Sequence, residues 1–246
     1  MVMRILITND DGINSEALPP LIEFFERFGE VVTVAPKFEQ SGKSHAIDFH
    51  GEIEIKKVVL KGGYEAYSVD SSPADCVRFA VLGLKKQIDL VISGINKGFN
   101  LGKDIVYSGT AGAVFEAGRL GINGVAISTD PSSFEHAFLR LDELCDFFKS
   151  NRLFDINGLY NVNIPLSSHD IRITRQGGIY YTDEFVHRGN DIYIQVGEPA
   201  PSVSDDTVYD IPAIQRGFVS VTPLTADRTD LESFKILKKQ LEGKHI

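Results

Sequence analysis

The stretch Arg4-Ile5-Leu6-Ile7-Thr8-Asn9-Asp10-Asp11-Gly12 decides the fold. Its opening residues form a short continuous apolar run, the pattern of a strand buried on both faces, and the run ends abruptly in two carboxylates and a glycine turn. Val31 to Ala35, Leu90 to Ser93 and Val125 to Ser128 repeat the pattern, with helix-period segments between them. Ser15 to Phe28 carries the stripe Leu18, Leu21, Ile22, Phe25 and Phe28 and stops at Gly29. Ser72-Pro73-Ala74-Asp75 supplies a cap, a first-turn proline and a first-turn acid for a second helix. A third helix begins around Ser108-Gly109-Thr110, and a fourth covers Phe134 to Lys149. This alternation predicts an α/β protein: a three-layer, Rossmann-like fold with a mostly parallel sheet.

Two regions break the alternation. Between Gly51 and Val69, the residues Ile53, Ile55, Val59, Tyr67 and Val69 read as a β-hairpin around Gly62-Gly63. Beyond Leu159, Ile171 to Thr174 and Asp191 to Val196 alternate apolar and polar, as antiparallel strands with one wet face do. Phe218-Val219-Ser220-Val221 then returns to a buried-strand pattern. The expectation is one domain over residues 1–246, with a β-rich C-terminal extension, an arm at about 171–246. The apolar face of that arm (Ile171, Ile173, Ile192, Ile194, Val196) needs a cover, and a second subunit is expected to supply it.

With 246 residues and 43% hydrophobic side chains, the chain has enough apolar material for a sizeable core. A net charge of −9 argues against a protein that binds nucleic acid by phosphate neutralisation. Cys76 and Cys145 have no framework or zinc spacing and read as core residues. The run before Asn9-Asp10-Asp11 is too short for a signal peptide, and no window reaches ~18 apolar residues, so a cytoplasmic protein without membrane partners is expected.

In an open α/β sheet, ligands bind beyond the carboxyl ends of the strands. Asp10 and Asp11 follow the first strand, Gln40-Ser41-Gly42 lies in the loop after the second, and Gly94-Ile95-Asn96 follows the third. Asp10, Asp11, Ser41 and Asn96 are all oxygen donors, which suits one divalent ion of the Mg²⁺, Mn²⁺ or Ca²⁺ class and disfavours zinc. An Asp-Asp-Gly turn can also be purely structural, but polar residues at two further strand ends favour a ligand site. Tyr107-Ser108-Gly109-Thr110 opens a helix after a loop rich in glycine and asparagine. Ser108, Gly109 and Thr110 there make a phosphate site plausible, against the plain alternative of N-capping. A metal and an anion site together point to metal-assisted phosphoryl hydrolysis, with Asp10 or Asp11 as base or nucleophile.

Rival motifs fail. Gly42-Lys43-Ser44 resembles the end of a Walker A loop, but Lys37 stands where that loop needs glycine. A nucleophile elbow and an Asp-x-Asp pair are absent. His45, in the Ser41 loop, reads as a hydrogen-bonding residue. A phosphorylation-dependent, Mg-binding signalling module would need an aspartate where Asn96 stands. A nucleotide-binding protein without turnover is the remaining alternative.

Several motifs in order, namely Ile7 to Gly12, Ala35-Pro36 with Gln40-Ser41-Gly42, Pro73 to Val77, Ser93 to Asn96 with Gly98 and Asn100, Tyr107 to Thr110, and Val219 to Leu224, make the sequence resemble the SurE (survival protein E) family. The resemblance spans nearly the whole chain. It implies a metal-dependent 5′-nucleotidase, a phosphoric monoester hydrolase acting on nucleoside 5′-monophosphates, with polyphosphate attacked by some members. It implies a divalent metal on Asp10, Asp11, Ser41 and Asn96, phosphate near Ser108, Gly109 and Thr110, and a homodimer or homotetramer built through C-terminal arms. The chain departs from the family at Ser15-Glu16-Ala17, usually Ser-Pro-Gly, and at Val208-Tyr209-Asp210, often Asp-Thr-Asp.

Overall fold

A computed structural model describes residues 2–166, 169–200 and 204–242. Its strands are β1 (Met3–Thr8), β2 (Gly29–Pro36), β3 (Ile55–Val59), β4 (Glu65–Val69), β5 (Leu90–Lys97), β6 (Asn123–Thr129), β7 (Leu159–Ile164), β8 (Ile171–Ile173), β9 (Tyr181–Gly189), β10 (Ile192–Pro199) and β11 (Val219–Leu224). The helices are α1 (Leu18–Glu26), α2 (Pro73–Arg78), α3 (Gly109–Arg119), α4 (Glu135–Ser150), α5 (Leu153–Ile156), α6 (Asp210–Gln215) and α7 (Leu231–Leu241).

A nine-stranded sheet runs in the order β3-β4-β2-β1-β5-β6-β7-β11-β8. From β4 to β7 every neighbouring pair is parallel, while β3 at one edge runs antiparallel to β4 and, on the other side, β11 runs antiparallel to β7. The chain leaves β1 for β2 on one side and reaches β5 on the other. The strand order therefore reverses between β1 and β5, where the carboxyl ends of these two strands form a crevice.

The three layers follow from the strand period of two. Ile5 and Ile7 face a cluster made with Leu18, Leu21 and Phe25 of α1 and Leu141 and Leu144 of α4. Leu6 faces the opposite cluster, with Cys76 and Val77 of α2 and Ala113 and Ala117 of α3. Every one of those β1 side chains has zero solvent exposure, which is why the run is apolar throughout. Cys76 is buried and Cys145 half-buried, both as free thiols.

Local signals place the starts of several helices. Ser72 caps α2 by accepting from the Asp75 amide, with Pro73 in the first turn, and Ser108 caps α3 by accepting from Ala111. The helix expected over Ser15 to Phe28 is shorter, because Pro19 and Pro20 fit only a first turn and set its start at Leu18. The hairpin expected between Gly51 and Val69 is β3–β4, and β4 also extends the main sheet beside β2.

The C-terminal region corrects one pairing. Ile171 to Thr174 was expected in an antiparallel arm, yet β8 lies on the edge of the main sheet, parallel to β11. Its polar partner face is internal: the Thr174 hydroxyl bonds those of Ser220 and Thr222 at 2.8 and 2.7 Å. The antiparallel hairpin is β9–β10 alone, a separate two-stranded sheet.

Asp210 docks the base of this hairpin to the body. Its side chain, 1% exposed, accepts from the amides of Gly102, Gly177 and Ile211, each at 2.8 Å. Replacing Asp210 with alanine strands buried amides that belong to different segments. Asp210→Ala is therefore expected to lose about 1–3 kcal/mol of stability, with Asp210→Asn recovering part of it. Denaturant midpoints checks this, and a wild-type midpoint for the alanine variant refutes the docking role.

Candidate active site

Asp10 and Asp11 stand at the carboxyl end of β1, directly on the crevice. Asn9 closes the turn beneath them: its side chain accepts from the Gly12 amide at 3.1 Å and donates to the Gly12 carbonyl at 3.0 Å. Asp10, 4% exposed, is held from across the crevice by one residue of α3. The Thr110 hydroxyl donates to Asp10 Oδ1 at 2.7 Å, and the Thr110 amide to Oδ2 at 3.2 Å. The Gln40 amide donates to the Asp10 carbonyl at 2.7 Å, so the loop after β2 is tied to the same residue.

Two glycines let these parts close up. A side chain on Gly109 would meet the Asp10 Cβ at 2.9 Å and the Gln40 carbonyl at 3.1 Å, and one on Gly112 would meet the Ser44 carbonyl at 2.2 Å.

Burial pushes the Asp10 carboxyl pKa up, against the opposing pull of the Thr110 bonds. Burial, followed by the neighbouring Asp10 charge, pushes Asp11 up to about 7. Asp11 Oδ2 is buried with no hydrogen-bond donor among the described residues. Two adjacent carboxylates destabilised in their charged forms, one with an orphaned oxygen, are the arrangement that a hard cation relieves. Among the described residues no three His, Cys, Asp or Glu side chains cluster, so a metal here depends on Ser41 and Asn96 to complete its ligands.

Those two residues share one cavity of about 620 Å³ with Asp10 and Ser108. Ser41 is exposed and donates to Glu39 Oε1 at 2.7 Å. Asn96 donates from Nδ2 to the Gly98 carbonyl at 2.7 Å, which fixes the amide and leaves Oδ1 as its acceptor. The donor set is oxygen throughout and fits a divalent hard cation.

At α3, the four first-turn amides are distributed differently from a simple cap. Ser108 N–H bonds Ile105, Thr110 N–H bonds Asp10 and Ala111 N–H bonds the Ser108 hydroxyl, so Gly109 N–H is the remaining donor. Thr110 thus turns toward Asp10, while Ser108 faces the cavity.

A scan of protein families matches the model "Survival protein SurE" over residues 5–183. A curated relative, "5′-nucleotidase SurE" of Pelotomaculum thermopropionicum, is 38% identical over 257 residues, covering 99% of this chain and 97% of its own. The same-named protein of Caldanaerobacter subterraneus subsp. tengcongensis is 36% identical over 245 residues, covering 95% of each. The crystal structure of the Sure protein from Aquifex aeolicus superposes with a TM-score of 0.75 at 31% identity, over 96% of this chain and 99% of that one. The chain belongs to the SurE family.

In this SurE chain the structure gives Asn100, part of the motif after β5, a role that the motif did not show, and adds Asn161 and Asn163 as its partners. Asn100 anchors the loop after β5: its amide donates to Asn163 Oδ1 at 2.8 Å, its carbonyl accepts from Asn161 and Asn163, and its Nδ2 donates to Ser128. The signal was present as Asn161-x-Asn163, polar residues fully buried within the apolar β7. One wall of the cavity comes from Tyr180, just before the hairpin, and from Tyr181, Asp183 and Gln195 on it. Asp104 joins that wall to the body, its Oδ2 accepting the Tyr180 and Tyr181 amides at 2.8 Å each.

His45 does hydrogen-bond, as expected, but to a buried acid. Its Nε2 lies 2.8 Å from Glu116 Oε2 on α3, and Arg78 and Arg119 pair with the same carboxylate. Burial pushes the Glu116 pKa up, but the bonds from His45, Arg119 and Arg78 outweigh it and bring it down to about 2. A folded-state pKa below the ordinary 4.5 contributes stability above that value, lost as pH falls toward about 2. Between those limits the wild-type unfolding midpoint is expected to fall more steeply than that of Glu116→Gln. Parallel acid titrations of the two proteins would contradict the network's role.

Proposed function

We propose that the chain is a divalent-metal-dependent 5′-nucleotidase that hydrolyses nucleoside 5′-monophosphates to nucleoside and phosphate, with one cation held by Asp10, Asp11, Ser41 and Asn96. Membership of the SurE family and the names of its relatives support the activity. The observation that carries the site is the pair of adjacent buried carboxylates, one with an orphaned oxygen, at the reversal of strand order. A cation of the Mg²⁺, Mn²⁺ or Ca²⁺ class, when bound, would offset phosphoryl charge and acidify water.

The chain's own residues divide the remaining work. Thr110 holds Asp10 in one orientation, so its charge is aimed before substrate arrives. Ser108 and the Gly109 N–H receive phosphate oxygens at the positive end of α3. Asp11, with an unpartnered Oδ2, accepts the proton of the attacking water. The nucleoside lies against Tyr107, Tyr180 and Tyr181, aromatic residues that line the same cavity.

Chelation with EDTA is expected to abolish phosphate release, and Mn²⁺ or Mg²⁺ to restore it. Asp10→Asn and Asp11→Asn should each lose at least ~100-fold in kcat/KM with an unchanged circular dichroism spectrum. Full turnover after exhaustive chelation would sink the mechanism, and wild-type turnover in either variant would remove that residue from it.

The assembly is a homodimer or homotetramer in this reading. Phe185, Ile192 and Tyr193 on the hairpin are exposed, and α7 exposes Leu231, Phe234, Leu237 and Leu241. Apolar surfaces of that kind are normally covered. Among the described residues no helix is long and apolar enough to cross a membrane, which suits a cytoplasmic site of action. Light scattering is expected to give at least twice the 27.2 kDa chain mass, and a monomer at micromolar concentration overturns the assembly.

A further inference from the structure

Ser41 is the least secured of the residues proposed to hold the cation. Asp10 is gripped by Thr110, and the Asn96 amide is fixed on Gly98. Ser41 is exposed, with its hydroxyl on Glu39 Oε1, and a side chain on its neighbour Gly42 would touch nothing within 4 Å. Where the hydroxyl stands is therefore decided by how its loop is tied down on either side.

Before Ser41, the Gln40 amide donates to the Asp10 carbonyl at 2.7 Å. After it, the Ser44 amide and hydroxyl donate to the Tyr107 and Val106 carbonyls at 2.9 and 2.6 Å, just ahead of α3. The next tie is made by a side chain: His45 Nε2 lies 2.8 Å from Glu116 Oε2. Thus α3 grips Asp10 with Thr110 and the far end of the Ser41 loop with Glu116, about 9 Å further along the helix.

The two partners in this last tie do not depend on it equally. The buried Glu116 carboxylate also receives Arg119, from Nε and Nη2, and Arg78 at 3.1 Å. Without His45 it keeps two guanidinium partners, so its charge is not stranded in α3. The loop, in contrast, loses its one side-chain hydrogen bond to α3 among the described residues.

Resting on the metal site proposed above, we propose that His45 is a positioning residue: by fastening the loop to Glu116, it holds the Ser41 hydroxyl where a cation on Asp10, Asp11 and Asn96 can use it. A ligand on an unfastened loop must be ordered whenever the cation binds, and that entropy is subtracted from the affinity. Fastened by His45, the loop is ordered by folding instead. His45 acts through Ser41, so its effect falls on cation affinity before turnover.

The test sets the intact protein beside His45→Phe, which keeps a ring near Phe115 but cannot bond Glu116, and His45→Gln, whose amide nitrogen can. Arg119→Met is the control, since it removes a different partner of Glu116 and leaves the loop's tie in place. Without added metal, His45→Phe is expected to speed hydrogen exchange of the Gln40 and Ser44 amides about 10-fold, with the amides of β1 and β5 unchanged. Calorimetry should give a Mn²⁺ dissociation constant about 10-fold higher, and the Mn²⁺ concentration for half-maximal phosphate release should rise with it, while kcat at saturating Mn²⁺ stays within about 3-fold. His45→Gln should restore exchange and affinity, and Arg119→Met should stay within about 3-fold of the intact protein in both. Unchanged exchange in His45→Phe overturns the proposal, as does faster exchange with unchanged Mn²⁺ affinity. Equal weakening by Arg119→Met also overturns it, because the network then acts through overall stability. Should the intact protein bind no Mn²⁺, the metal reading fails by itself, and the exchange of Gln40 and Ser44 still decides whether His45 holds the loop.

Discussion

A carboxylate buried at the end of a parallel strand must find donors, and Asp10 finds two of them on Thr110. That pair of bonds spans the crevice between β1 and α3 and sets the distance at which everything else is arranged. Because Asp10 also fixes the loop after β2 through its carbonyl, three chain segments far apart in sequence converge on one residue. The close approach explains why α3 begins with glycine and carries another at Gly112: any larger residue would separate the helix from Asp10 or from the Ser44 backbone.

Burial pushes both neighbouring acids up, yet they differ in what holds them. Asp10 is buried but receives two hydrogen bonds, which recover part of the lost hydration. Asp11 has no comparable clamp; burial and the charge next door raise it to about 7. Identical side chains side by side thus acquire unequal environments from a single threonine. Structures that place acids so usually divide roles between them. Here one carboxylate is held in place and the other left with an open oxygen.

How much of this was legible in the sequence depends on the range of the signal. The buried strands, the hairpin around Gly62-Gly63 and the caps at Ser72 and Ser108 were readable because apolar period and cap chemistry are local. The polar strand ends were readable as well, since a doubly wound sheet brings them to one crevice whatever the details. What could not be read were contacts closed by the fold alone. Nothing local shows that Thr110 turns toward a residue 100 positions away, that β8 pairs with β11, or that Asp210 gathers amides from Gly102 and Gly177. In sequence Asp210 was only the aspartate kept in a stretch that departs from the family pattern at Val208 and Tyr209, and its physical role appears once those amides meet.

The least legible part of the cavity is the lining contributed by the hairpin. The residues proposed for the chemistry stand at the carboxyl ends of β1 and β5 and at the start of α3, whose positions the parallel sheet dictates. Tyr180, Tyr181, Asp183 and Gln195 come from a hairpin that has its own two-stranded sheet and joins the body largely through Asp104 and Asp210. A change in the hairpin can therefore reshape that part of the cavity without disturbing Asp10, Asp11 or Thr110. The carboxylate pair and the hairpin lining thus rest on separately anchored elements, and the buried Asp210 and half-buried Asp104 that attach the hairpin are where one is coupled to the other.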